Sequence, residues 1–161
     1  MLLDDVDPRI FGLLIHWLYT HRVMQPAHNE ELFRALGGPL LTYAKLWSLG
    51  SRCLMPALQN HLMTKLATGM RFENDVAKRR AFINYAAREH GEKQLRFLAV
   101  QAVAYFVGLN EVKGYVAELP GDVVADIMVV LMEEVARGNA RALGRLAFRP
   151  CATYFVQEPK V

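Results

Sequence analysis

The side chains able to do chemistry are few and scattered. Histidines stand at His16, His21, His28, His61 and His90. None is paired at the i, i+4 spacing that puts two imidazoles on one helix face. None sits in His-Glu-x-x-His or beside a Cys-x-x-Cys, the arrangements that hold zinc. His16 and His21 are five residues apart, which splays them across a helix end. Cys53 and Cys151 are too few for a disulfide framework or a four-cysteine zinc site. Cys53 has no histidine near it in sequence and reads as a packed thiol, not a nucleophile. The serines are Ser48 and Ser51, and neither lies in Gly-x-Ser-x-Gly. Gly37-Gly38 lacks the Gly-Lys-Ser/Thr of a phosphate loop. Glu30-Glu31 and Glu133-Glu134 are sequence neighbours and read as solvated helix faces. With no nucleophile, base and orienting group to name, the expectation is a protein that is not an enzyme, with no cofactor and no metal.

The sharpest polar pattern is cationic. Arg137, Arg141, Arg145 and Arg149 recur every four residues, so a continuous helix would carry them as one stripe. Gly138 and Pro150 narrow the aligned set to Arg141, Arg145 and Arg149. Such a stripe can grip phosphates or an acidic protein face. No aromatic platform is interleaved with it and no nucleic-acid motif accompanies it, so a solvated face is the plainer reading. Lys78-Arg79-Arg80 is a shorter basic run of the same kind.

The elements that must position these residues are helices. Asp7-Pro8 is a helix start, with Asp as N-cap and Pro at the first helical position. Ile10, Phe11, Leu14, Ile15, Leu18 and Tyr19 follow at helical spacing, and Leu13 and Trp17 widen the stripe nearly all round, which predicts burial on two sides. A loop over 22–29 contains Pro26, and Asn29 caps a short helix over 30–36 that ends at Gly37-Gly38. Pro39 opens a helix with Leu40, Tyr43, Ala44, Leu46 and Trp47 inward. Pro56 opens another, with Leu58, Leu62 and Leu66 on one face and a stop near Gly69. Helices over 76–89, 92–107, 110–118 and 123–137 complete the pattern. Leu95, Leu98, Ala99, Ala102 and Phe106 mark the helix over 92–107 as a central helix, and Leu119-Pro120-Gly121-Asp122 forms a turn and N-cap. A last helix over 139–149 and a strand over 152–157 are the weakest assignments. The fold class is all-α.

Composition bounds the rest. A chain of 161 residues with 53% apolar and 22% charged residues forms a core, and its length suits one domain better than two. The net charge of +3 is uneven. The segment from Arg137 onward holds four arginines and Lys160 against Glu158, and everything before it is slightly acidic. The longest apolar run, Phe97 to Val107, is about half the roughly 20 residues a membrane span requires. The start, Met1-Leu2-Leu3-Asp4-Asp5, lacks the basic region of a signal peptide. These features predict free thiols and a cytoplasmic or nuclear protein.

Two segments carry a family resemblance. Asp4-Asp5-Val6-Asp7-Pro8-Arg9-Ile10-Phe11, running into His16-Trp17-Leu18-Tyr19-Thr20, resembles the "DDPEAF…WLYTG" helix of fungal BTB/POZ proteins. Leu46-Trp47-Ser48-Leu49-Gly50-Ser51-Arg52-Cys53-Leu54-Met55-Pro56-Ala57-Leu58-Gln59-Asn60 resembles the "LYVLADKLQMPALQN" helix pair of the same family. Leu95-Arg96-Phe97-Leu98 and Leu119-Pro120-Gly121-Asp122 to Ile127 are similar to the helical extension that follows. His21 stands where the family often has Gly. Gly50-Ser51-Arg52 replaces Ala-Asp-Lys, which puts a glycine inside a helix.

The resemblance implies helical hairpins of a truncated BTB/POZ fold over residues 1–70, a helical extension over 71–138 and a basic tail over 139–161. The strand-and-helix half that opens a complete BTB domain has no counterpart here. An uncovered flank of the first helix would then expose Leu13, Ile15 and Trp17. The implied function is protein–protein interaction: self-association, or recruitment of a partner such as a cullin-type ubiquitin ligase. The candidate interaction surface comprises Leu13, Trp17, Tyr19, Met55, Leu58 and Leu62. The alternative is an anion-binding face for nucleic acid or an acidic partner at Arg137, Arg141, Arg145 and Arg149. No membrane association is expected.

Overall fold

A computed structural model describes residues 5–88, 93–106, 109–136 and 156. Among these residues the chain is helical, with no strand: α1 (Pro8–Thr20), a single 3-10 turn (Pro26–His28), α2 (Glu30–Ala35), α3 (Pro39–Arg52), α4 (Pro56–Phe72), α5 (Val76–Arg88), α6 (Lys93–Phe106), α7 (Leu109–Glu118) and α8 (Gly121–Ala136). The expected helices over 30–36 and 110–118 differ by a residue at one end, and residues 89, 92 and 107 of those over 76–89 and 92–107 lie outside the described residues. The helix from Pro56 runs to Phe72, past the stop expected near Gly69. Asp122 lies in the first turn of α8, not at its cap. The helix over 139–149 and the strand over 152–157 fall outside the described residues, apart from Val156.

Capping residues set most of the starts. The Asp7 carboxylate accepts the Arg9 backbone N–H at 2.9 Å, and Pro8 follows at the first helical position. Asn29 accepts from the Leu32 backbone N–H at 3.1 Å and so caps α2. Asp75 does the same for α5, accepting from Ala77 and Lys78. Its carboxyl is held below its ordinary pKa by those backbone bonds. Two stops are less usual. His21 closes α1 at φ 51°, and its N–H donates to the Trp17 carbonyl at 2.7 Å. The turn therefore keeps the left-handed shape a glycine would take. Leu54 ends α3 at φ 54°, with its own N–H bonded to Ser51 and the Met55 N–H bonded to Gly50. These two bonds form a Schellman motif around a leucine.

α3 is the hub. It packs on α1, α4 and α5, while α6 packs on α4, α5 and α8. Leu40, Tyr43, Ala44, Leu46 and Trp47 are all buried, as their spacing predicts. Leu58, Leu62 and Leu66 of α4 are fully buried against them. The glycine at position 50 has a reason in this crossing. A Cβ there would lie 3.3 Å from Leu58 Cδ2 and 3.5 Å from Gln59 Cγ, so glycine lets α4 approach α3 closely. α6 is the central helix of the second half, with Leu95, Leu98, Ala99, Ala102 and Val103 at or below 1% exposure. Phe33 meets the Tyr43 ring edge-on at 5.5 Å, and the Tyr43 hydroxyl donates to the Met24 carbonyl at 3.2 Å. Burial pushes that phenol up to about 12. The side chain of Asn60 donates to the Val156 carbonyl at 3.0 Å and accepts its N–H at 2.6 Å, which fastens the chain near its end to α4.

α1 departs from its expected packing. It buries one face, Ile10, Leu13, Leu14 and Trp17, and does not bury two. Phe11 is 39% exposed, Leu18 49% and Tyr19 85%. The physical reason is that α3 alone covers α1 extensively, and one neighbouring helix covers only a stripe.

Candidate interaction surfaces

The proposed surface residues separate on folding. Leu13, Trp17, Leu58 and Leu62 are core side chains, Met55 is half-buried, and only Tyr19 stands free. Leu13 and Trp17, expected on an uncovered flank of α1, face inward, and Ile15 is half-buried. The flank that is uncovered carries Phe11, Gly12, Leu18 and Tyr19. Eight of the thirteen α1 residues are Ile, Leu, Phe, Trp or Tyr, so two apolar stripes fit the same periodicity. The sequence signal was present; the choice of buried stripe was not in it.

Trp17 is nonetheless close to exposed chemistry. Its indole meets the His61 ring at 5.3 Å and the His21 ring at 6.2 Å, both edge-on. Desolvation of the His61 imidazole on its packed side, with Lys65 adding repulsion, lowers its pKa from the ordinary histidine value. The rest of that residue faces water. Among the described residues no group of three His, Cys, Asp or Glu side chains converges.

α8 presents a second apolar face. Met128, Val129, Met132 and Val135 fall at i, i+1, i+4 and i+7, and are 51%, 55%, 67% and 54% exposed. The opposite side buries Val123 and Ile127. A groove of about 440 Å³ runs beside this face between α6 and α8, with Phe97, Val100, Val129 and Val130 in its walls. Arg96 clamps one side of it. Its guanidinium donates to Asp122 at 2.5 Å and to Asp126 at 2.6 and 3.1 Å. These carboxylates raise the Arg96 pKa, and Arg96 holds Asp122 below the usual carboxylate value.

A smaller cleft of about 270 Å³ lies between the start of α1 and α3, lined by Asp5, Asp7, Lys45, Ser48, Arg52 and Tyr85, with apolar walls. Arg52 binds Asp5 through two bonds of 2.8 and 2.9 Å, which lowers the Asp5 pKa. Asp7 is lowered to about 2 by the Arg9 side chain and the Arg9 backbone N–H. The Ser48 hydroxyl is buried and no base reaches it, so it is not an activated nucleophile. The arginine at position 52 thus acts as a clamp for the segment before α1.

The basic run of α5 is largely engaged within the fold. Lys78 pairs with Asp75 at 3.6 Å. Arg80 pairs with Glu118 at 3.4 Å and lies over the Tyr115 ring at 5.1 Å. Cys53 is a half-buried free thiol packed against the core. Arg137, Arg141, Arg145, Arg149, His90 and Cys151 lie outside the described residues. Among the described residues no helix is long and apolar enough to cross a membrane. No family model, curated protein or solved structure matches the chain.

Proposed function

We propose that this chain is a non-enzymatic protein–protein interaction module of the fungal BTB/POZ type. Its segment 1–70 acts as the helical half of that domain and 71–138 as its extension. It works in the cytoplasm or nucleus by self-association or by recruiting an adaptor, a cullin-type ubiquitin ligase among the partners the resemblance names. One observation carries the reading. Among the described residues two helices, α1 and α8, present apolar side chains to solvent at helical spacing. Monomeric proteins seldom expose apolar patches larger than roughly 300–600 Å², and such patches mark interaction sites.

Light scattering across a concentration series, paired with an apolar fluorescent dye, tests the reading. Concentration-dependent association is expected, together with dye binding at low concentration. Adding the N-terminal strand-and-helix half of a fungal BTB domain should reduce dye binding. A chain that stays monomeric, unfolds cooperatively and binds no dye refutes the proposal.

A further inference from the structure

We propose that the cleft between the start of α1 and α3 binds a small monocarboxylate with a compact apolar body. Lys45, Ser48, Leu49 and Arg52 line it at i, i+3, i+4 and i+7, so one face of α3 forms a wall. Val6 and Ile10 line it from the α1 side, and Tyr85 of α5 completes the enclosure. Two polar groups in this cleft lack partners. The Ser48 hydroxyl makes no hydrogen bond, on a residue only 7% exposed. A polar group left unsatisfied inside a fold is costly. Lys45 is half-buried, and its ammonium forms no ion pair among the described residues. A ligand that accepts from both satisfies both.

The charges around the cleft leave one cation over. Arg52 holds Asp5 at 2.8 and 2.9 Å, and Arg9 holds Asp7 at 2.7 and 3.0 Å. Each pair is neutral, and Lys45 supplies the remaining positive charge. An ammonium only donates, and the Ser48 hydroxyl three residues on has a proton to give. The matching group accepts at two oxygens and carries a single negative charge, which describes a carboxylate. A phosphate dianion fits less well, since its second charge faces Asp5 and Asp7 with no further cation to meet it. Val6, Ile10 and Leu49 call for an apolar body behind the carboxylate. The cleft holds about 270 Å³, or about nine water volumes of ~30 Å³ each, which sets the ligand at about nine non-hydrogen atoms. None of the lining residues belongs to the exposed apolar faces of α1 and α8, so the site is separate from any association through those faces.

Titration of the full chain with hexanoate, followed by amide NMR shifts, tests the site. Saturable shifts centred on residues 5–10 and 45–52 are expected. Hexan-1-ol and hexylamine, of similar size without the negative charge, should bind at least ~tenfold more weakly. Lys45→Gln and Ser48→Ala should each weaken hexanoate by about tenfold, because each removes a donor to a charged acceptor. Ser48→Ala deletes a hydroxyl that has no partner in the free protein, so without ligand its thermal midpoint should not fall. With hexanoate it should lose the rise in midpoint that the native chain shows. Shifts that do not saturate overturn the proposal, as does saturable binding that both variants keep. Hexan-1-ol binding as tightly as hexanoate, or inorganic phosphate displacing hexanoate at equal concentration, overturns the assignment to a monocarboxylate. A lower midpoint for Ser48→Ala without ligand shows the hydroxyl engaged within the fold and overturns its role at the site. All these outcomes are read independently of whether the chain associates, so they leave the module reading to its own test.

Discussion

Leu54 offers a sharp test of how the α3–α4 hairpin is made. It occupies the left-handed position of a Schellman motif, where glycine is usual, at φ 54°. A left-handed conformation costs an L-residue with a Cβ roughly 1–2 kcal/mol. Leu54→Gly removes that cost and adds about 0.5–1 kcal/mol for the greater freedom of glycine in the unfolded chain. The leucine side chain contributes little packing, since the residue is 87% exposed. At that exposure, losing it forfeits a few tenths of the ~1.5–3 kcal/mol a fully buried leucine supplies. The net expectation is stabilisation of about 0.5 kcal/mol. Leu54→Ala loses the same side chain and keeps the backbone cost, so it should destabilise slightly. The comparison between the two variants isolates the backbone term.

Urea unfolding followed by circular dichroism measures both variants. The midpoint should rise for Leu54→Gly and fall for Leu54→Ala with the slope unchanged. Equal midpoints would show that the left-handed residue is not strained. A marked loss of stability in Leu54→Gly would show that the leucine packs somewhere in solution and would refute the argument.

Three further outcomes follow from the geometry. Gly69→Ala should destabilise by about 1 kcal/mol despite its better helix propensity, because the new Cβ would lie 2.9 Å from Cδ2 of buried Leu40; the urea midpoint reads it. The folded Asp7 pKa, about 2, lies below its unfolded value of 3.8. Its contribution is therefore present above pH 4 and lost as pH falls toward 2, and Asp7→Asn should flatten the acid dependence of stability over that window. His61 is also lowered in the folded state, so its contribution is present above about pH 6.5 and declines below it. In a Trp47→Phe, His21→Asn background, which leaves His61 as the imidazole beside Trp17, Trp17 fluorescence should fall with a midpoint under 6.5, and His61→Gln should abolish that transition.

The positions of most helix starts were legible because caps and prolines act locally. Asp7-Pro8, Asn29, Pro39 and Pro56 each fix a start through a bond or a dihedral that needs no tertiary partner. The central place of α6 was legible for a different reason. A helix apolar all round has to be enclosed, whichever neighbours enclose it. The Arg96 clamp was not legible, since Asp122 and Asp126 lie 26 and 30 residues away in sequence. Only the packing of α6 on α8 makes them neighbours.

The candidate surface fell between these cases, and α1 shows why. Ile10, Leu13, Leu14 and Trp17 satisfy the helical period, and Phe11, Ile15 and Leu18 satisfy it equally well, rotated about the axis. Periodicity gives the existence of a stripe and not its partner. Placement is decided by α3, which packs against α1 on one side only. Gly12 lies on the open side, where a Cβ would meet nothing within 4 Å in its own chain. A glycine within a well-capped, strongly apolar helix conflicts with local propensity. Trp17 and Leu13 attracted attention by size, yet large apolar residues are what a core consumes first.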